Sequence, residues 1–179
     1  MHGIYIADVG DGLCANVRTP FGKVAQVDCG SQHKPEVAFS GLKRVLNLCG
    51  SPDAFILSHF HVDHYNGLIY ASYNGYNNYN PFRIREVYYP RIPEFSDRKR
   101  FLKCLFTINL AVLGSETGVM EYELLRTITK LNNRICPYRF PRSKGEFIKI
   151  GSSVFEVLWP PATISHEKVL ADIKQALDD

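Results

Sequence analysis

The sequence predicts a mixed α/β domain, and three observations predict it. Short apolar runs separated by turn residues open the chain, an amphipathic helical stretch follows, and a short continuous apolar run, "AFILS", comes next. A run of that last kind suits a strand buried on both faces of a sheet. At 179 residues, with 45% apolar and 22% charged residues, the chain is long enough for one domain with its own hydrophobic core.

The elements follow in order. Apolar runs at 4–9, 13–18 and 24–28 are separated by "GDG" and "TPFG", both turn chemistry, which predicts an antiparallel meander. In "KPEVAFSGLKRVLNLCG", Val37, Leu42, Val45, Leu46 and Leu48 recur at helical spacing, Pro35 stands near the start and Gly50 stops the run. "SPD" then turns the chain into "AFILS". Residues 68–73 predict a further helical stretch, "NGYNNYNPF" an irregular surface loop, and "RIREVYYPRIP" a strand closed by Pro90. Helical stretches are expected over 97–113 and 117–132. "GEFIKIGSSVFEVLWPP" reads as a hairpin, with strands at 147–150 and 154–158, a "GSS" turn and a double proline that ends pairing. A last helix begins at Ser165, a suitable N-cap. Asp178 and Asp179 would stand at the negative end of its dipole with no Gly or Pro stop before them, so the natural chain is expected to continue beyond residue 179.

Composition excludes several classes. Twenty-one Lys and Arg against 18 Asp and Glu give a net charge of +3, too small to argue by itself for a nucleic-acid or anionic-membrane partner. Cys14, Cys29, Cys49, Cys104 and Cys136 form an odd, scattered set without a C-x-x-C pair, which suggests neither a disulfide framework nor a cysteine zinc site. The N-terminus lacks a basic region followed by a long apolar stretch, and no run approaches the roughly 18 apolar residues of a membrane span. The expected location is the cytoplasm.

Chemistry concentrates in "SHFHVDHYNGL", residues 58–68, where His59, His61, Asp63 and His64 fall within six positions. Imidazole and carboxylate are the ligands that borderline cations such as Zn²⁺ prefer, and one short rigid turn lowers the cost of ordering several of them. If the chain stays extended past Ser58, His59 and His61 point the same way and share one metal. Asp63 and His64 follow as the chain turns toward a second position. A His-rich surface loop, or hydrogen-bonded core histidines, is the alternative. Either would have to gather three of the chain's six histidines around an acid by coincidence.

"HFHVDH" has the H-x-H-x-D-H form and resembles the metallo-β-lactamase fold superfamily, in which a meander ending in Asp-x-Gly ("VDCG"), a helix and a buried strand precede that motif. More narrowly, "DVGDG", "VDCGS", "SHFHVDHYNGL" and "VLWPP" look like successive landmarks of the ComEC-like subgroup. The resemblance implies an αββα sandwich, with residues 1–179 forming the N-terminal portion of the domain and the C-terminal half missing. It implies two Zn²⁺ ions, with Mn or Fe as substitutes, the first held by His59 and His61 and the second by Asp63 and His64. Asp28 would support the loop from behind. The implied reaction is attack of a metal-activated hydroxide on a phosphoester or nucleic-acid-like substrate, with Asp63 also catalytic by orienting the water. A lactone, thioester or β-lactam substrate would use the same metals. A redox di-iron centre is a second class, although superfamily members of that kind tend to carry Glu where His61 stands. A non-catalytic metal-binding or regulatory module is a third.

The chain departs from the pattern in places. Asp11, Gly12 and Leu13 stand where the subgroup usually has Gln followed by Gly-Asp, and the bridging aspartate and last histidine of the superfamily belong to its second half. The fragment alone is therefore expected to be inactive. His166 at the start of a polar helix suits capping surroundings better than ligation. Tyr70, Tyr73, Tyr76 and Tyr79 offer stacking faces, and Arg83, Arg85, Arg91, Arg98, Lys99 and Arg100 a phosphate-facing patch, but solvated surfaces explain both at least as well. Cys29 reads as a small buried residue at a strand end, and Trp159 as a plug at a core edge.

Overall fold

The structure is a computed structural model that describes residues 2–32, 34–74, 82–91, 120–158 and 160. The helix expected over 97–113, the basic trio Arg98, Lys99 and Arg100, Tyr76, Tyr79, Trp159, and the C-terminal helix with His166 lie outside the described residues.

Three strands, β1 (Gly3–Ile6), β2 (Cys14–Arg18) and β3 (Val24–Cys29), form the antiparallel meander. Helix α1 (Pro35–Cys49) begins on a proline, whose fixed φ suits the first helical turn, and ends at Gly50, where φ is +85°. It buries Ala38, Gly41, Leu42, Val45, Leu46 and Cys49 along one side. Strand β4 (Ala54–Ile56) pairs parallel to β3, so α1 is the crossover that two parallel neighbours require. A single 3₁₀ turn (Val62–His64) and helix α2 (Asn66–Tyr73) lead toward β5 (Glu86–Pro90), parallel to β4. Helix α3 (Met120–Leu131) precedes β6 (Tyr138–Arg142), parallel to β5. The sheet order is β1-β2-β3-β4-β5-β6, and β7 (Phe147–Ile150) and β8 (Ser153–Glu156) form a separate antiparallel hairpin.

Alternation along the central strands assigns the layers. Phe55, Leu57, Val87 and Tyr89 join Leu42, Leu68, Leu124 and Ile128 in one core under the three helices. Their neighbours Ala54, Ile56 and Tyr88 face the other way and pack with Ile148, Ile150 and Phe155 of the hairpin. "AFILS" is thus buried on both faces, as its unbroken apolarity requires. The described residues stack helices, sheet and hairpin, three of the four layers of an αββα sandwich.

Strand β6 is absent from the sequence reading, and the reason is proline. "YRFPR" carries Pro141 in its middle, which argues against a central strand because proline donates no ladder hydrogen bond. The strand lies at the sheet edge, where Pro141 stands opposite Tyr89 and a missing N–H is tolerated. Strand β5 is also shorter than its apolar pattern suggests: Ile84 is buried ahead of it, and its backbone pairs with the Asn132 amide, which accepts from Ile84 N at 3.1 Å and donates to Ile84 O at 2.6 Å.

Between the sheet and α1, Asn16 on β2 faces Gln26 on β3 in register. Asn16 is fully buried, and both its side-chain polar atoms lack a hydrogen-bond partner among the described residues. A buried amide without partners costs roughly 1–3 kcal/mol in desolvation, so Asn16→Leu, of similar volume, is expected to raise stability by about 1 kcal/mol. Urea denaturation decides the matter: a lowered midpoint would mean that the amide is satisfied in solution.

Candidate metal centre

The motif begins where β4 ends. Leu57 still donates its N–H to Tyr88 O at 2.8 Å, and the chain leaves the sheet at Ser58. His61 keeps extended backbone (φ −82°, ψ 138°), then the 3₁₀ turn reverses the direction through Asp63 and His64. This path brings the three imidazoles together. The ring centroids of His59 and His64 are 3.9 Å apart, and those of His59 and His61 are 4.7 Å apart. Asp63 lies beside them, its Oδ2 3.8 Å from His64 Nε2. All four residues singled out in the sequence therefore share one locus, at the carboxyl end of the parallel strands.

Asp28 organises that locus from below. It is fully buried at the end of β3 and has φ +50°, a left-handed conformation that Asp and Asn tolerate better than most residues. Its Oδ1 accepts from Ser58 N at 2.8 Å, and its Oδ2 accepts from Ser58 Oγ and lies 2.8 Å from His64 Nδ1. Holding Nδ1–H against a carboxylate selects the tautomer whose Nε2 lone pair is free, the arrangement that orients a metal-ligating histidine. The hydrogen bond to Asp28 raises the His64 pKa above its ordinary value against the opposing effect of burial. His59 moves the other way, lowered by burial and by the neighbouring His64 and His61.

Three further residues build the loop; Gly30 entered the sequence reading only as the glycine of the Asp-x-Gly landmark, and Ser58 and Asn66 carried no assigned role. Ser58 Oγ, besides meeting Asp28, lies 2.9 Å from His59 Nδ1, so one hydroxyl ties the buried acid to a second histidine. Asn66 clamps the loop after β3: its Oδ1 accepts from Ser31 N at 3.0 Å and its Nδ2 donates to Ser31 O at 2.7 Å. Gly30 permits the contact between the two loops, since a Cβ there would stand 1.8 Å from the backbone oxygen of Asp63. Cys29 is fully buried, with its thiol pKa raised by burial and by a hydrogen bond with Cys14, as fits a packing residue at a strand end.

The donors are of the right chemistry for zinc, but the rings pack on one another. Among the described residues, no group of three or more His, Cys, Asp or Glu side chains is arranged to hold a metal ion. The backbone placement and the side-chain placement therefore differ in what they offer: the first gathers the ligands, whereas the second needs ring rotations, for which His61 is exposed and His59, Asp63 and His64 only half-buried. No helix among the described residues is long and apolar enough to cross a membrane.

No protein-family model matches the chain, and no curated protein matches it. Among solved structures it is similar to the BLEG-1 B3 metallo-beta-lactamase, with 15% identity and a TM-score of 0.45 over 86% of this chain and 59% of that one. It is also similar to a beta-lactamase domain protein from Burkholderia ambifaria, with 14% identity and a TM-score of 0.45 over 87% of this chain and 46% of that one. The chain thus spans about half to three fifths of the length of those two proteins.

Proposed function

We propose that the chain carries the histidine and aspartate half of a dinuclear zinc-dependent hydrolase of the metallo-β-lactamase kind, acting on a phosphoester or nucleic-acid-like substrate. His59 and His61 would hold one ion, and Asp63 and His64 the other. The observation that carries this reading is the buried Asp28 carboxylate on His64 Nδ1, which leaves Nε2 available beside Asp63. Such a carboxylate–histidine pair is the arrangement that fixes the tautomer and ring plane of a ligating histidine. Bound zinc would supply Lewis-acid polarisation and a nucleophilic water at neutral pH. The chain's own residues would do the rest: Asp28 and Ser58 fix the tautomers and ring planes, Asn66 and Gly30 hold the loop against β3, and Asp63 orients a water proton.

The ring-on-ring packing favours a second reading, a non-catalytic module in which the same motif binds metal weakly or serves another purpose. Zinc stoichiometry separates the two without recourse to activity. After loading and removal of loosely held metal, elemental analysis is expected to find more zinc in the wild-type chain than in either His59→Ala or Asp63→Ala, since each substitution removes one of the two ligands the chain offers an ion. Equal zinc content in all three proteins would refute the assignment. Hydrolysis of a phosphodiester, a lactone and a β-lactam by the zinc-loaded protein then distinguishes the substrate classes.

A further inference from the structure

A second feature shares Ser58 with the motif. On the hairpin face of the sheet, a cavity of about 320 Å³ opens between the main sheet and β7-β8. Its lining is mostly apolar, with Val27, Ile56, Tyr88, Ile148 and Phe155 among the walls. The rim is chemically different. Ser58, Pro90 and Arg142 line it, and each stands at or just beyond the carboxyl end of one of three adjacent parallel strands, β4, β5 and β6. That is the end of a parallel sheet at which α/β proteins take their ligands.

Among the described residues, Arg142 supplies the one cation in the lining. Its guanidinium lies over the rings of Tyr88 and Phe140, 5.4 and 5.3 Å from their centroids. Most of its hydrogen-bonding capacity is unspent: Nη1 reaches Pro141 O at 3.4 Å and Glu146 Oε1 only at 3.9 Å, and Nε has no partner among the described residues. Glu146 meanwhile lies closer to Arg91, at 3.4 Å, and its other oxygen accepts from Ser143 N. Glu156 also lines the cavity, but it is exposed on β8 and solvated, so its charge weighs less than that of a half-buried guanidinium.

We propose that this cavity binds a small amphiphilic organic anion, an apolar ring or chain bearing one phosphate or carboxylate, with the body between Ile56 and Ile148 and the anion at Arg142. The inference rests on the hydrolase reading in one respect. Ser58 hydrogen-bonds His59 and also borders the cavity, so a ligand seated there would reach the metal-binding loop, and the cavity would hold the apolar portion of the substrate. An apolar-bodied ester would then be preferred over a nucleic-acid strand.

The test uses metal-free protein in chelator, so that its failure leaves the zinc stoichiometry to be judged by its own measurement. Methyl-resolved NMR titrations with 1-naphthyl phosphate, 1-naphthoate and the neutral 1-naphthol are expected to shift Val27, Ile56 and Ile148. Arg142→Met should weaken both anions by about tenfold or more, the loss expected for a charged hydrogen bond, and leave 1-naphthol unchanged. Retained 1-naphthol binding shows that the variant keeps its cavity. Glu156→Gln should tighten the anions slightly or leave them alone. Phosphate binding without carboxylate binding, or the reverse, identifies the anion. Absence of saturable shifts at those methyls, or equal loss of anions and 1-naphthol in Arg142→Met, would overturn the proposal.

Discussion

Gly30→Ala is expected to abolish zinc binding and to destabilise the fold by about 3 kcal/mol, at the upper end of what overpacking ordinarily costs. Its added Cβ would lie 1.8 Å from Asp63 O, 2.1 Å from Asp63 C and 2.6 Å from His64 N. All three atoms are backbone, so no flexible side chain can swing aside. Gly30 cannot retreat cheaply either, because its own N–H is donated to Leu13 O at 3.0 Å. The motif loop must therefore move by more than about an ångström, whereas metal–ligand distances tolerate only about 0.2 Å. Gly22→Ala is the control: its φ of +80° makes alanine strained, but nothing lies within 4 Å of the new methyl. It should cost about 1 kcal/mol and leave zinc binding intact. Thermal melts with zinc titrations on both variants measure the contrast. A Gly30→Ala protein that melts and binds zinc like wild type would show that the two loops do not touch in solution.

Which parts of this arrangement a reader of the sequence can reach depends on how local the signal is. The meander, α1 and the hairpin are legible because periodicity and turn chemistry lie within each segment: Gly50 stops α1, and "GSS" turns β7 into β8. The motif is legible because four ligand-type residues fall in one short stretch. Residues that build the site from a distance carry no such mark. Asn66 meets Ser31 across 35 positions and Ser58 meets Asp28 across 30, and a lone Asn or Ser has no pattern that names its partner. Asp28 entered only through the family resemblance. Strand β6 was hidden because an edge position, which sequence does not declare, is what makes Pro141 acceptable. Arg142, at the end of that strand, was hidden with it.

Asp28 is the residue at which stability and metal affinity can be separated. Asp28→Ala removes the acceptor for Ser58 N, Ser58 Oγ and His64 Nδ1 at once, and leaves a residue poorly suited to φ +50°. Hydrogen bonds to a charged group contribute roughly 1.5–3 kcal/mol each, so even with water replacing part of them a loss of about 3 kcal/mol is expected. Asp28→Asn should cost far less in stability, because Asn tolerates left-handed backbone and its oxygen can still accept from Ser58 N. Its effect on metal should nevertheless be severe. If the amide NH₂ faces His64, Nδ1 must become an acceptor, the proton moves to Nε2, and the nitrogen meant for the metal is blocked. Zinc affinity is expected to fall by about 10- to 100-fold while the melting curve changes little. The metal-free proteins carry a pH signature as well. Asp28 raises the His64 pKa, so its contribution to stability is fully present below the ordinary histidine value of 6.5 and fades as pH rises through the raised one. The advantage of wild type over Asp28→Asn should therefore shrink as pH rises through the raised His64 value. Undiminished zinc affinity in Asp28→Asn would mean that His64 does not ligate through Nε2, and the assignment of Asp63 and His64 to a common ion would fall with it.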